Sequence, residues 1–187
     1  MAKLNSKQLR AAEYHANGLL LALGHDLKRE GLKETPLRLA KFLASFSQPE
    51  PFKFTVFDSE GKRDMIVVAG IPVESLCEHH CAPFFGRAWI GYIPDQKIAG
   101  LSKLPRALAY FARRFQNQER ITHDVAEFLV AKLDPCGVAV LLECEHTCMT
   151  VRGVRIHNSV TRTMAVRGVF EQSATRAEFL AHVAGTK

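Results

Sequence analysis

Two short segments rich in cysteine and histidine, far apart in the chain, constrain the fold more than any other feature of this sequence. The first holds Cys77 and His80, and the second holds His146 and Cys148. Cys77 and His80 are three residues apart, so on one helical turn their side chains lean to the same side. If residues 138–148 stay extended, strand alternation also points His146 and Cys148 to one face. A fold that brings the two segments together would assemble a site for a soft metal ion.

Cysteine and histidine are the ligands that zinc prefers, and here they allow two kinds of site. A closed structural site would use four cysteines, pairing Cys77 with Cys81 and Cys144 with Cys148. On a strand, however, Cys144 and Cys148 would lie about 13 Å apart, which is too far to share one ion without a bend. An open site of Cys77, His80 and Cys148 is favoured, because it leaves a fourth position for water and gives the histidines a role. The remaining cysteines are then assigned to core packing: Cys81, Cys136 and Cys144.

The composition excludes several classes of protein. The chain has 187 residues, of which 47% are hydrophobic and 24% charged, as in an ordinary globular domain. No stretch approaches the roughly 20 apolar residues of a membrane span, and no signal peptide is recognisable, so we expect a cytoplasmic protein without a membrane partner. Five cysteines without an export signal argue against a disulfide framework. The net charge of +6, with no basic arm, fits a phosphorylated small molecule at least as well as nucleic acid.

Periodicity and turn residues divide the chain into an N-terminal helical segment at residues 1–50 and an α+β domain at residues 51–187. In the segment, Ser6 and Thr35 are predicted to cap two helices, the second with Pro36 in its first position. In the domain, the main elements follow the order β-β-α-α-β-β. Strands are predicted at 54–57, 65–73, 87–93, 138–145 and 158–166, and helices from 102, at 119–133 and at 174–183.

Candidate residues for proton transfer and phosphate binding lie close to the predicted ligands and at a helix start. His79 and His146 flank the ligands, and a neutral imidazole can move protons near neutral pH, as attack by a zinc-activated water requires. Ser102, Lys103 and Arg106 place a hydroxyl and two cations around a helix start, an arrangement that binds phosphate. For that stretch alone, a capped helix with solvated charges is an equal alternative.

Four more residues offer groups for a nucleotide. Glu119, if buried, could accept from the ring and amino N–H groups of guanine, and Gln118 lies beside it; a solvated helix start is the alternative. Arg152 follows the second ligand segment closely enough to reach an anion held over the metal. Arg38 lies in a first helical turn, where a cation opposes the helix dipole, so it is either a functional residue or a solvated surface arginine.

Together these motifs resemble the GTP cyclohydrolase I family in order and spacing, from about Glu34 to Phe170. The stretches that carry the resemblance are Cys77-Glu78-His79-His80, Tyr92-Ile93-Pro94, Gly100-Leu101-Ser102-Lys103, Gln116-Asn117-Gln118-Glu119-Arg120, and His146-Thr147-Cys148-Met149 followed by Arg152-Gly153. The resemblance implies the tunnelling fold, an antiparallel sheet with two helices on one face. It also implies a toroidal homodecamer of two stacked pentameric rings, with active sites at subunit interfaces.

The resemblance further implies a role for each candidate residue. The ligands of Zn²⁺ would be Cys77, His80 and Cys148, and the proton-transfer residues would be His79 and His146. Guanine would be bound by Glu119 with help from Gln118. The ribose and triphosphate would be held by Ser102, Lys103, Arg106, Arg152 and, from a neighbouring subunit, Arg38. The implied reaction is hydrolysis of GTP to 7,8-dihydroneopterin triphosphate and formate, begun by attack of a zinc-activated water on carbon 8 of guanine.

Two other classes of protein stay open at this point. A related tunnelling-fold enzyme of deazapurine synthesis, such as a nitrile reductase, would use a cysteine nucleophile and no metal. A non-enzymatic zinc module would bind RNA through its positive charge, although the sequence has no aromatic and basic RNA motif. For the cyclohydrolase itself, the pathway that consumes the product is open between folate, tetrahydrobiopterin and 7-deazapurine synthesis.

Overall fold

The computed structural model of the chain describes residues 5–47 and 49–185. The residues group by their contacts into two units, Met1–Glu50 and Pro51–Lys187. Within the described residues, no helix is both long enough and apolar enough to cross a membrane.

The first unit consists of three helical elements: α1 (Ser6–Ala22), a 3₁₀ helix (Glu30–Leu32) and α2 (Thr35–Ala44). Asn5, and not Ser6 as predicted, caps α1. Its side chain accepts from the backbone N–H of Gln8, and the Gln8 side chain accepts from the backbone N–H of Asn5. Both residues are good caps, but only Asn5 has a glutamine three positions later to complete the reciprocal pair. In α2 the cap position likewise falls one residue earlier than predicted, on Glu34 rather than Thr35.

The second unit contains the sheet and the remaining helices. Its elements are β1 (Val56–Asp58), β2 (Ile66–Cys77), β3 (Pro83–Ile93), β4 (Lys97–Ala99), α3 (Lys103–Ala112), β5 (Phe115–Gln116), α4 (Gln118–Leu133), β6 (Gly137–His146), α5 (Thr147–Thr150), β7 (Thr161–Gly168), a 3₁₀ helix (Val169–Glu171) and α6 (Ser173–Ala184). The long elements β2, β3, α3, α4, β6 and β7 follow the predicted β-β-α-α-β-β order. The short elements β4, β5 and α5 were not predicted.

The main sheet has five strands in the order β5-β2-β3-β6-β7. Its four long strands pair antiparallel, as predicted, whereas β5 adds two residues parallel to the end of β2. A separate two-stranded sheet joins β1 to β4. The parallel pairing matters for the site, because it places Gln116 beside Cys77 and so brings the start of α4 to the end of β2.

Helices cover both faces of the sheet. On one face, α3 packs on β2 and α4 packs on β6 and β7, which confirms the predicted placement of two helices on one face. The core on that side includes Val140 and Leu142 of β6 and Val125 of α4. On the other face, Phe179 of α6 packs with Trp89 in a smaller cluster. Because β6 is covered on both faces, its sequence is a nearly continuous apolar run.

Gly86 allows β3 and β6 to approach each other closely next to the candidate site. It lies opposite Cys144 in the pairing, and a Cβ atom at Gly86 would lie 1.9 Å from the carbonyl oxygen of Glu143. No side chain fits in that space. Glycine therefore keeps the two strands paired as far as Phe84 and His146, where the site begins.

Candidate metal centre

The first ligand segment forms the tight connection between β2 and β3. Cys77 is the last residue of β2, and its carbonyl accepts from the backbone N–H groups of His80 (3.3 Å) and Cys81 (2.9 Å). The connection thus curls back like one turn of a helix, and Nδ1 of His80 lies 3.6 Å from Sγ of Cys77. The spacing argument from the sequence is correct, although Cys77 itself belongs to a strand.

The second ligand segment leaves the sheet just before Cys148. β6 ends at His146, one residue beyond the predicted strand end at 145, and Cys148 lies in the short helix α5, so the condition that residues 138–148 stay extended is not met. The reason lies in the neighbouring strand: β3 begins at Pro83, and its pairing with β6 stops at the Phe84–His146 pair. Beyond that pair the side-chain hydroxyl of Thr147 donates to the carbonyl of Pro83 (2.6 Å), and the chain turns.

The three predicted ligands converge at this turn. One ligand atom from each of Cys77, His80 and Cys148 lies within 4.8 Å of the other two, so the group could hold a metal ion. Across residues 5–47 and 49–185, it is the one group of three or more His, Cys, Asp or Glu side chains with this geometry. Cys77 is buried, Cys148 half-buried and His80 exposed, so the group has an open side. Three ligands with an open side are typical of catalytic zinc sites.

Electrostatics at the thiols also suit a cation. Burial raises the pKa of Cys148, and the adjacent Cys77 thiol raises it further, while Arg152 opposes the shift. A metal ion between the two sulfurs would reverse this, because coordination favours the thiolate strongly.

The other three cysteines lie outside the group, and all five cysteines are free thiols. Cys144 is buried, as predicted, and burial raises the pKa of its thiol to about 12. Cys136 is half-buried and its thiol donates to the carbonyl of Pro94 (3.6 Å). The assignment of Cys81 to the core is wrong: it is exposed, because it occupies a left-handed turn position (φ 53°) at the exit of the ligand turn.

His146 is held on two sides beside the metal group. Its Nε2 lies 2.8 Å from Oε1 of Gln118, and its ring stacks on Phe84 with centroids 4.6 Å apart and an interplanar angle of 11°. Burial lowers the pKa of His146, and the carboxylate of Glu119 opposes this shift. His79, by contrast, is exposed, with Nδ1 3.6 Å from Sγ of Cys77.

Glu78 joins the ligand turn to α4, a contact that the sequence did not indicate. Arg120 donates to both carboxylate oxygens of Glu78 (2.8 and 3.1 Å), and the side chain of Asn117 donates to one of them (3.1 Å). The hydrogen bond from Arg120 is the main cause of a lowered pKa at Glu78. Both residues fall within the quoted motifs, but no local pattern pairs two residues that are 42 positions apart.

The predicted phosphate-binding residues of α3 and the Arg152 side chain are accessible to a ligand. Ser102 occupies the cap position of α3 without making the predicted side-chain capping bond, so its hydroxyl is available. Lys103 is half-buried, and Arg106 and Arg152 are exposed. In the described part of the chain, the side chains of Lys103 and Arg106 have no hydrogen-bond or ion-pair partner.

Glu119 and Arg38 are also exposed. In the single chain Glu119 is not buried: it lies in the first turn of α4 at the edge of a cleft of about 440 Å³, which His123 and Arg167 also line. Its carboxylate has no hydrogen-bond or ion-pair partner in the described residues. Arg38 belongs to the first unit, where it pairs with Glu34 at 2.8 Å.

The fold and the site define an α+β protein with an open Cys-His-Cys group, able to hold a metal ion, where two strands of its sheet end. The family model of GTP cyclohydrolase I matches residues 12–184. Relatives named GTP cyclohydrolase 1 are similar over nearly the whole chain. The relative from Dictyostelium discoideum is 45% identical, covering 98% of this chain and 82% of its own length. Those from Geobacillus kaustophilus and Parabacteroides distasonis are 48% and 43% identical, each covering 96% of this chain and 97% and 96% of their own lengths. The chain therefore belongs to the GTP cyclohydrolase I family.

Among solved structures, an archaeosine synthase QueF-like protein in the apo form aligns with a TM-score of 0.45 and 16% identity, over 56% of this chain and 93% of its own. That likeness is too low to support an inference.

Proposed function

We propose that the chain catalyses the reaction for which its relatives are named, the hydrolysis of GTP to 7,8-dihydroneopterin triphosphate and formate. The convergence of Cys77, His80 and Cys148 within 4.8 Å carries the proposal. A deazapurine-pathway reductase would need no such group, and an RNA-binding zinc module would need no open side.

Zn²⁺ is the ion we propose for Cys77, His80 and Cys148. Two thiolates and an imidazole form a soft donor set that suits zinc and not magnesium or calcium. When bound, the ion supplies the Lewis acidity that makes water a nucleophile near neutral pH.

The side chains around the group then perform the proton transfers. Water adds to carbon 8 of guanine, and His146 exchanges a proton with nitrogen 7 as the imidazole ring opens. His79, on the exposed side of the group, is placed to serve the second hydration, which releases formate. The freed aminoribose chain rearranges and closes on the exposed amine to form the pterin.

Recognition of GTP divides between two parts of the second unit. Glu119 presents an unpaired carboxylate to the guanine N–H groups from the edge of its cleft. The residues proposed to bind the ribose and triphosphate are Ser102, Lys103, Arg106 and Arg152, with Arg38 from a neighbouring subunit.

The proposal includes a ring assembly with sites at subunit interfaces, in the form of a toroidal homodecamer. It is supported by β7, the last strand of the sheet, whose outer edge has no partner strand among the described residues. Exposed apolar side chains in the segment that leads from α5 into β7 also support it: Val151, Val154, Ile156, Val160 and Met164. The cytoplasmic location expected from the sequence stays a prediction.

Incubating the purified, zinc-loaded protein with GTP tests the function directly. We expect formate, and a pterin that becomes fluorescent after oxidation, in equal amounts. Cys148→Ser is the matched control, because it removes one proposed ligand by changing sulfur to oxygen. If the zinc-loaded protein releases neither product, the proposed function is wrong, and salt-sensitive RNA binding would then favour the zinc module.

A further inference from the structure

The amide of Gln118 is almost completely buried between α4, β6 and β7. The residue is 1% exposed, and its Nε2 lies 3.2 Å from the carbonyl oxygen of Leu142, 3.0 Å from that of Thr161 and 3.0 Å from Oγ1 of Thr163. Its Oε1 lies 2.8 Å from Nε2 of His146. Every polar atom of this amide therefore has a partner within the chain.

These partners determine which way the amide faces. The carbonyl oxygens of Leu142 and Thr161 can only accept hydrogen bonds, so the NH₂ group must point at them. The hydroxyl of Thr163 is an acceptor here as well. The hydroxyl of Thr122 donates to the backbone carbonyl of Gln118 (2.8 Å), so in the contact between the two hydroxyls (2.6 Å) Thr163 is the donor. With three acceptors around the NH₂ group, the reversed orientation of the amide is excluded.

The orientation of the amide in turn determines where His146 carries its proton. Oε1 of Gln118 can only accept, so Nε2 of His146 must be the donor in their hydrogen bond. In the neutral ring, Nδ1 is then the nitrogen with the free lone pair. The stacked ring of Phe84 holds the imidazole plane at the same time.

We propose that Gln118 is a positioning residue for His146: its anchored amide fixes the proton at Nε2 and leaves Nδ1 as the ring nitrogen that exchanges protons with the substrate. This assignment rests on the proposed function and replaces a direct contact between Gln118 and guanine. A guanine contact would require a free donor or acceptor on a side chain that is 1% exposed and has both of its ends occupied.

The two roles predict different kinetics. A positioning residue for a proton-transfer group affects the chemical step, so its loss lowers kcat and leaves KM for GTP almost unchanged. A residue that binds guanine affects KM and the preference for GTP over inosine triphosphate, which lacks the exocyclic amino group.

Gln118→Met, which keeps the length and removes both polar ends, tests the proposal. We expect kcat to fall by about tenfold to a hundredfold, because general acid–base catalysis contributes about 10² to 10⁴. KM for GTP, and the ratio of turnover with GTP to turnover with inosine triphosphate, should stay within about twofold of the wild-type values. The zinc content should be unchanged. Gln118→Glu, when its carboxyl is protonated, keeps an acceptor facing Nε2 of His146 and an O–H donor facing the carbonyls, and should recover part of the lost kcat.

Thr163→Val is the matched control, since it removes one acceptor and leaves both carbonyls to orient the amide. Its kcat should stay within about threefold of the wild-type value.

If Gln118→Met keeps full kcat, or raises KM and changes the nucleotide preference, the positioning role is wrong. Should Gln118→Met fail to fold, Gln118→Asn, whose shorter amide cannot span both sets of partners, is judged by the same criteria. Wild type that releases no formate would instead refute the proposed function.

Discussion

Cys77 and Cys148 place two thiols side by side in the candidate metal group. The neighbouring Cys77 adds to burial in raising the pKa of Cys148. We predict that Cys148→Ser loses most of its zinc and nearly all turnover, because a neutral hydroxyl cannot replace a thiolate in a three-ligand site. Metal analysis of the purified variant and the formate assay check this.

The controls for that prediction are Cys81→Ser and Cys144→Ser. Cys81 points to solvent and Cys144 lies in the core, and neither belongs to the Cys-His-Cys group. Both variants should therefore keep their zinc. Loss of zinc from either one would restore the closed four-cysteine site as the better description.

The buried thiol of Cys144 makes stability depend on pH in the alkaline range. Burial, followed by the charge of Glu143, raises its pKa from the ordinary value of 9.0 to about 12. Above about pH 9 the folded state therefore keeps a proton that the unfolded state loses. The contribution of the Cys144 thiol to the free energy of unfolding is complete below about pH 9 and declines as the pH rises toward 12. We predict that, as the pH rises, the free energy of unfolding falls more steeply in wild type than in Cys144→Ala. The difference between the two slopes is expected to reach about 1.4 kcal/mol per pH unit.

Denaturant titrations at several pH values between about 8 and 11, at a fixed zinc concentration, measure the two slopes. The difference between wild type and Cys144→Ala isolates the thiol from the other groups that titrate in this range. Equal slopes would mean that Cys144 ionises as easily in the folded chain as in the unfolded one.

Glu119 carries the carboxylate that we propose binds guanine. It is exposed and unpaired within the described residues, and it lines a cleft beside α4. Glu119→Gln keeps the shape but replaces one acceptor oxygen by an NH₂ donor that would face the guanine N–H groups. Each polar group left unpaired in this way costs roughly 1 to 3 kcal/mol, and more when a charge is involved. We predict that kcat/KM for GTP falls at least about tenfold to a hundredfold with zinc retained. A change within a small factor would remove Glu119 from the site.

Among secondary-structure elements, length decides what the sequence can predict. In a long element, the alternation of a strand or the 3.6-residue repeat of a helix is visible in the order of apolar residues. The sequence therefore predicted β2, β3, β6 and α4 to within a few residues of their observed bounds. The elements β5 and α5 have two and four residues, too few for any period, yet these position Gln116 and Cys148 at the site. The helical turn of α5 after His146 was missed because it depends on where the partner strand β3 begins.

The ligand turn and α4 are joined by the Glu78–Arg120 pair, and this link supports a prediction. Removing Arg120 leaves the Glu78 carboxylate with Asn117 and, at 4.0 Å, His79, and so loosens the turn that carries Cys77 and His80. We predict that Arg120→Ala releases zinc to a chelator about tenfold faster than wild type, as for other residues that orient metal ligands indirectly. Chelator competition followed by stopped-flow absorbance measures the rates.

Arg113→Ala is the matched control for Arg120→Ala. Arg113 pairs at 2.9 Å with Glu74 of β2, the strand that leads into the ligand turn. The two arginines are similarly exposed, but Glu74 lies further from the ligands than Glu78 does. Removal of Arg113 should leave the rate of zinc release unchanged. If both variants release zinc at the wild-type rate, the Glu78–Arg120 pair does not support the metal centre.

Over the whole molecule, the candidate site was predictable as a set of residues but not as a set of contacts. The spacing of Cys77, His80 and Cys148 and the family resemblance indicated which side chains would meet. The partners of the Gln118 amide lie on two strands, β6 and β7, and burial of the amide follows only from the packing of α4 on them. The same limit applies to Glu119: under the proposed ring assembly, its exposure would depend on what a neighbouring chain covers.

The proposed ring assembly leads to a prediction that concerns more than one chain. If Arg38 completes the site of a neighbouring subunit, Arg38→Ala and Cys148→Ser damage different halves of the same site. Each variant alone should have little activity, the first because the triphosphate loses a cation and the second because zinc is lost. Co-expression of the two should restore activity in about one quarter of the sites of a randomly mixed oligomer.

The restored sites are those in which one chain supplies Cys148 and its neighbour supplies Arg38. Formate release by the purified mixed oligomer, with each subunit carrying a different affinity tag, measures the recovery. If Arg38 acted within its own chain, no subunit would contain both intact residues, and the mixed oligomer would be no more active than the average of the two variants. That result would refute a shared site, whereas recovery near one quarter would identify Arg38 as the neighbour's contribution.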